Sequence, residues 1–233
     1  MMSSRLKLPE RQTLAEVIYQ EIRSRIVTLQ LKPGEMVYEN NFATEFGLSR
    51  TPVRQAFFML AQEELISILP QRGARIADLS TQKVKDAQFV RESLEYNAFV
   101  KVAELWDSSE DVFKQADRAI SSIIEEQKES VVDQDYIRFM QLDEDFHNAI
   151  IKLSGNQTLL AIVNDMRAHL NRVRYLELQE AHHEKAAIEY HEKIFAAIKS
   201  NDAELSGQLL REHLRMLEKE RELFFEKYKE MFI

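Results

Sequence analysis

Four side chains in this 233-residue chain have the types and spacing to hold a divalent metal ion. Asp143 and His147 stand four residues apart, hence one turn apart on one helix face. Tyr136, Phe139, Met140, Phe146, Ile150 and Leu153 make that face otherwise apolar. A carboxylate and an imidazole turned into a core cost several kcal/mol unless something pairs with them. They pair with each other or hold a third group. Further on, Ile188, His191, Phe195 and Ile198 form one inward stripe. Leu205, Leu209, His213 and Met216 form another, with Leu217 beside it. A turn near Asn201-Asp202 joins these two helices, and at a rise of about 1.5 Å per residue both histidines lie at a similar depth from it. Three imidazoles and a carboxylate on three buried faces suit Zn²⁺ first, with Ni²⁺ and Mn²⁺ fitting other geometries. The bland alternative is a set of core histidines satisfied by backbone or carboxylate bonds. A water-activating metallohydrolase is a further reading. It lacks a base, because Glu144 and Asp145 turn away from the Asp143 face.

A mostly helical chain has to carry these residues. Apolar residues make up 45%, with only 5 Gly and 4 Pro, too few for a sandwich or barrel with many turns. From residue 79 onward the pattern predicts six helices, over 82–106, 109–128, 133–153, 156–179, 183–199 and 203–229. Short connections make them an antiparallel bundle. Cysteine is absent, which excludes disulfides and thiolate ligands. No apolar run reaches the about 18–20 residues of a membrane span. The N-terminus lacks the apolar core of a signal peptide, so a cytoplasmic location is expected.

The net charge of −8 is unevenly spread. Residues 1–78 carry 10 Lys and Arg against 9 Asp and Glu, whereas residues 79–233 carry 21 against 30. The acidity belongs to the second part, which leaves the first free to meet DNA. There, Leu14, Val17, Ile18, Ile22, Ile26 and Leu29 form a helical stripe ended by Pro33-Gly34. A short helix from about Asn40 to Phe46 closes at Gly47, and another starts near Ser49 or Thr51 and runs to about Glu64. Two such helices with a tight glycine turn are a helix-turn-helix. Leu65–Leu69 and Ala74–Ala77 then read as two strands joined by Pro70-Gln71-Arg72-Gly73, a wing with a basic tip. A recognition helix presents its first residues to base edges. Here these are Arg50, Thr51 and Arg54, and arginine binds guanine bidentately.

The run Leu48-Ser49-Arg50-Thr51-Pro52-Val53-Arg54, followed by Pro70-Gln71-Arg72-Gly73-Ala74, resembles the winged helix of GntR-type bacterial transcription regulators. The resemblance implies DNA contacts from Arg50, Thr51, Arg54 and Gly73; Arg72, at the basic tip of the wing, is expected to join them, on an inverted-repeat operator bound by a homodimer. Departures are Gln55, where many members have Glu, Glu64, where many have Gly, and Asn40, near which some place an arginine contact. Asp143-Glu144-Asp145-Phe146-His147, Tyr190-His191-Glu192 and Glu212-His213-Leu214 resemble the FCD ligand-binding domain of the FadR branch, and six helices resemble its VanR-like subgroup. This implies that Asp143, His147, His191 and His213 hold a metal with positions left for a small carboxylate effector. Arg91 and Asn156 are the further effector-pocket residues, although Arg91 also suits a surface ion pair with Glu95, and Asn156 suits a helix cap. A metal that only clamps the helices is the competing reading. Of the basic run Arg167, His169, Arg172 and Arg174, most members are expected on a solvated face, with His182 and His183 also at the surface. The chain is therefore expected to be a repressor with domains 1–78 and 79–233.

Overall fold

The computed structural model describes residues 13–232, leaving out the side chains of 168, 169, 181, 219 and 220. Two compact units emerge. One takes the chain up to Thr81 together with the residues from Glu230 onward, and the other takes Gln82–Lys229.

In the first unit α1 (Leu14–Val27) opens on a capping box between Thr13 and Glu16. After the Pro33-Gly34 turn come β1 (Met36–Val37), α2 (Glu39–Phe46) and α3 (Arg50–Gln62), then β2 (Ile66–Leu69) and β3 (Gly73–Ile76). Gly47 takes the left-handed conformation that closes α2, at φ +66°. Ile18, Ile22, Ile26, Val53, Ala56 and Leu60 have no exposed surface. Phe42 stacks on Phe46 and meets the edge of Phe57 at 5.8 Å. This core fixes α3 with Arg50 and Arg54 outward. The predicted hairpin is present, but the sheet has a third strand, in the order β1-β3-β2, with Val37 opposite Ala74. A two-residue strand is too short for period-two alternation to betray it.

The second unit is helical throughout: α4 (Thr81–Leu105), α5 (Asp111–Val132), α6 (Tyr136–Leu153), α7 (Gln157–Ala181), α8 (Glu184–Lys199), α9 (Ala203–Arg215) and α10 (Glu218–Lys227). Asp135, Asn156 and Asp202 cap α6, α7 and α9 through their side chains. The sixth predicted helix, 203–229, is broken at Met216-Leu217, so six predicted segments become seven. Its inward stripe is also rotated. Ser206, Gly207, Leu210, His213 and Leu214 are buried, whereas Leu205 is 41% exposed. Gly207 explains the rotation: a Cβ there would stand 2.4 Å from Tyr96 Cε2, so α9 meets α4 backbone-first. No described helix is long and apolar enough to cross a membrane. Leu79 donates its N–H to the Met231 carbonyl at 3.0 Å and bridges Phe232 in parallel, which ties the C-terminal residues to the segment leading out of the wing.

Candidate metal centre and nucleic-acid interface

Helices α6, α8 and α9 bring the four predicted ligands together. Asp143, His147, His191 and His213 each offer an atom within 4.8 Å of the others. Asp143, His147 and His191 have no exposed surface, and His213 is 8% exposed. His213 Nε2 lies 3.3 Å from His147 Nε2 and 3.2 Å from His191 Nε2. His191 Nε2 is 3.5 Å from Asp143 Oδ1. Nitrogens about 2.0–2.1 Å from one ion stand about 3.3 Å apart in a tetrahedron and about 2.9 Å apart at right angles. These three edges, of 3.2 to 3.5 Å, fit one ion.

Two further residues set the protons, and neither was visible in the sequence as part of this site. Glu95 on α4 places Oε2 2.5 Å from His147 Nδ1. Gln127 on α5 gives its Nε2–H to the Leu142 carbonyl and so turns Oε1, an acceptor, to His191 Nδ1 at 2.8 Å. Both imidazoles therefore carry hydrogen on Nδ1 and direct the Nε2 lone pair inward. Both inward lone pairs meet at His213 Nε2, and an ion there would be coordinated by all three nitrogens when His213 carries its hydrogen on Nδ1. Burial pushes all three histidines toward the neutral form. His191 falls to about 3, His213 falls well below its ordinary value, and His147 is lowered against the pull of Glu95. Burial alone would raise Asp143, but Arg174, whose Nη2 donates to Oδ2 at 2.7 Å, and the neighbouring imidazoles hold it well below the carboxylate range. The donor set is thus three neutral nitrogens and one carboxylate, as a divalent transition metal requires.

The depressed histidines make a pH prediction. Each is neutral in the fold and titrates near 6.5 when unfolded, so below that pH the unfolded chain binds more protons. Their contribution is complete above pH 6.5 and is lost as pH falls through the window that, for His191, runs down to about 3. Thermal melts of chelator-treated protein should therefore drop steeply from pH 7 to pH 5, by up to about 1.4 kcal/mol per pH unit for each histidine. A flat profile would show that these imidazoles are not held neutral.

A small cavity of about 40 Å³ adjoins the ligands, lined by Arg91, Phe139, Asp143, Arg174, His213 and Arg221 among others. Arg91 Nη2, Arg174 Nη1 and His213 Nδ1 are buried without a hydrogen-bond partner. All three are donors, which suits an anion. Arg91 lines this cavity, and its expected pair with Glu95 is present at 2.6 Å, but buried and not at the surface. Asn156 does not join the cavity. It is exposed, and its Oδ1 caps α7 by accepting from Leu159 N–H at 3.0 Å. The basic run on α7 is not a solvated face either. Arg167 and Arg172 are 1% and 2% exposed, and Arg174 touches Asp143. Arg167 reaches Glu95 and Asn148, partners on other helices that a periodicity reading cannot supply. The side chain of His169 lies outside the described residues. His182 is exposed as expected, but His183 is half-buried and lines the cavity. Glu144 accepts from Asn171, and Asp145 is exposed, so neither reaches the centre as a base.

The first unit presents a groove of about 550 Å³ between the start of α3 and the wing. Arg50, Arg54, Arg72 and Gly73 line it together with Tyr38, Glu39 and Phe58. Arg50 and Arg54 are more than half exposed, and Thr51 and Arg72 are exposed. Gly73, at φ +91°, has a packing reason to be glycine: a Cβ would stand 2.6 Å from the Val37 carbonyl oxygen, where β1 crosses the wing.

Two family models match the chain, "Bacterial regulatory proteins, gntR family" over residues 14–76 and "FCD domain" over residues 86–216. An HTH-type transcriptional regulator from Streptomyces ambofaciens is 32% identical over 85% of this chain and 80% of its own length. The HTH-type transcriptional repressor RspR of Escherichia coli K12 is 25% identical over 92% and 91%. The solved structure of E. coli McbR/YncC superposes with a TM-score of 0.78 over 92% of this chain and all of that one, at 18% identity, a likeness of fold.

Proposed function

The chain belongs to the GntR family of bacterial regulatory proteins and carries an FCD domain, and on that premise we propose a repressor whose hold on operator DNA is set by a metal-bound carboxylate. That it is a transcription regulator and not an enzyme follows from its domains and relatives. Repression is carried over from the printed name of RspR. The observation that carries the rest is the inward convergence of three Nε2 atoms and Asp143 beside a cavity lined by the unpartnered nitrogens Arg91 Nη2, Arg174 Nη1 and His213 Nδ1.

Asp143, His147, His191 and His213 would hold the ion, with Zn²⁺ favoured by the nitrogen spacing. When bound, the ion supplies a Lewis-acidic anchor for one oxygen of an anion. Arg91 and Arg174 offer a second charged anchor, and His213 Nδ1 offers a neutral donor. The cavity holds little more than one water, whose share of liquid is about 30 Å³. An effector larger than a small carboxyl group therefore has to spread the walls. Met216 and Leu217, at the break between α9 and α10, line that cavity. An effector that fits better with the walls apart would favour that arrangement by its difference in affinity. A homodimer would set two α3 helices on the two halves of an inverted repeat, from the cytoplasm of a bacterium.

The test is a thermal-shift screen of small carboxylates against protein loaded with Zn²⁺ and against chelated protein. A carboxylate should raise the melting temperature of the loaded form alone, and His191→Ala should abolish both metal uptake and the shift. If no acid in a broad panel stabilises the loaded form, the effector claim fails and the ion is a clamp. If elemental analysis finds no metal in wild-type protein after loading, the metal claim fails.

A further inference from the structure

Glu39 stands where the outward arginines of α3 converge, and regulation by an effector gives it no task. It is the first residue of α2, with a side chain 21% exposed. Its carboxylate accepts from Arg50 Nη2 at 3.3 Å and from both Nε and Nη2 of Arg54 at 3.3 Å. The same three residues line the groove beside the wing. Two cations of a DNA-facing surface are thus tied to one anion from a different helix.

We propose that Glu39 is a positioning residue for sequence discrimination: it holds Arg54 by one edge so that the other reads guanine, and its charge lowers the grip on non-cognate DNA. The proposal rests on α3 being the DNA-reading helix. A guanidinium carries five N–H donors in one rigid plane. The carboxylate occupies the edge formed by Nε and Nη2. The end-on edge, formed by Nη1 and the second hydrogen of Nη2, stays free. Those two parallel donors are the pair that guanine O6 and N7 accept. An unheld arginine meets a phosphate as readily as a base. One already fixed against Glu39 has less freedom to lose when DNA arrives. The carboxylate also repels phosphates of every sequence alike, whereas the held edge rewards only the correct base. Both effects widen the ratio of specific to non-specific affinity. In water such an exposed pair contributes little, but it strengthens when DNA covers it and lowers the local dielectric.

Selection from random duplexes by the full-length wild-type protein supplies the cognate sequence. Affinities are then measured on that duplex, on the same duplex with 7-deazaguanine at its guanines, and on poly(dA-dT), which offers no O6/N7 acceptor pair. Glu39→Gln is expected to bind poly(dA-dT) about threefold tighter, because a charge opposing phosphates is gone. Its specific-to-non-specific ratio should fall about tenfold, and it should lose most of the wild-type penalty for 7-deazaguanine. Glu39→Asp keeps the charge but not the reach, so it should bind poly(dA-dT) like wild type and still lose the ratio. Partial unfolding would weaken every duplex alike and leave the ratio unmoved. A wild-type ratio and a wild-type 7-deazaguanine penalty in either variant overturn the proposal. A wild-type protein that enriches no sequence overturns the α3 reading, and this proposal with it.

Discussion

Arg50→Ala combined with Arg54→Ala is expected to bring operator affinity down to the level of unrelated DNA. Each bidentate arginine–guanine contact is worth about 1–3 kcal/mol, so losing two corresponds to between roughly 30-fold and 10⁴-fold. Neither side chain supports the fold. Both are more than half exposed, and α3 is held by Val53, Ala56, Phe57 and Leu60 on its other side. The variant should melt like wild type. Fluorescence anisotropy over a salt series separates the two things lost: the specificity ratio collapses, and the dependence of log affinity on log salt becomes shallower by about two phosphate contacts if the arginines also touch backbone. A double variant that keeps its operator preference would remove α3 from the role of reader.

The largest stability effect is expected at Glu95. This carboxylate has no exposed surface and serves three groups: Arg91 Nε at 2.6 Å, Arg167 Nη2 at 3.4 Å and His147 Nδ1 at 2.5 Å. Burial opposes its charge, but Arg91, His147 and Arg167 outweigh that and hold it well below the carboxylate range. Glu95→Ala would leave two buried guanidiniums short of their anion. Breaking a buried pair from one side costs about 3–5 kcal/mol. At about 2–4 °C per kcal/mol for a chain of this size, melting should fall by about 6–20 °C. The same change frees the His147 ring, and loss of such a support costs about 10–100-fold in metal affinity. Glu95→Gln fills the same volume without the charge and should lose less stability. An Ala variant within 2–3 °C of wild type would mean that water replaces the carboxylate, contrary to the packing described.

The two halves of the candidate metal centre differed in how far the sequence disclosed them. Asp143, His147, His191 and His213 interrupt apolar stripes, and an interrupted stripe is a local signal. Glu95 and Gln127 interrupt nothing noticeable, because they act on histidines 52 and 64 positions away along the chain. Arg167, Arg172 and Arg174 were misplaced for a related reason. A charged run reads as solvated unless its partners are known, and Glu95, Asn148 and Asp143 lie on other helices. Stripe counting also assumes that large residues mark the buried face, and Gly207 defeats that by letting Tyr96 approach the α9 backbone. The break at Met216-Leu217 has no Gly or Pro to announce it. In the first unit, Gly73 was assigned by resemblance to a DNA contact, whereas its φ and the nearness of Val37 already account for glycine there.

The pairing of Leu79 with Met231 and Phe232 bears on the order in which the protein is made. Domains fold largely as they leave the ribosome, N-terminal first. The helix-turn-helix and wing are complete in the nascent chain by Ile76, well before α4 to α10 emerge. Leu79, however, has no strand partner until residues 231 and 232 have been translated. The early unit is thus finished only after the late one, so a chain stalled in α10 would already carry the helix-turn-helix and wing but not the Leu79 pairing.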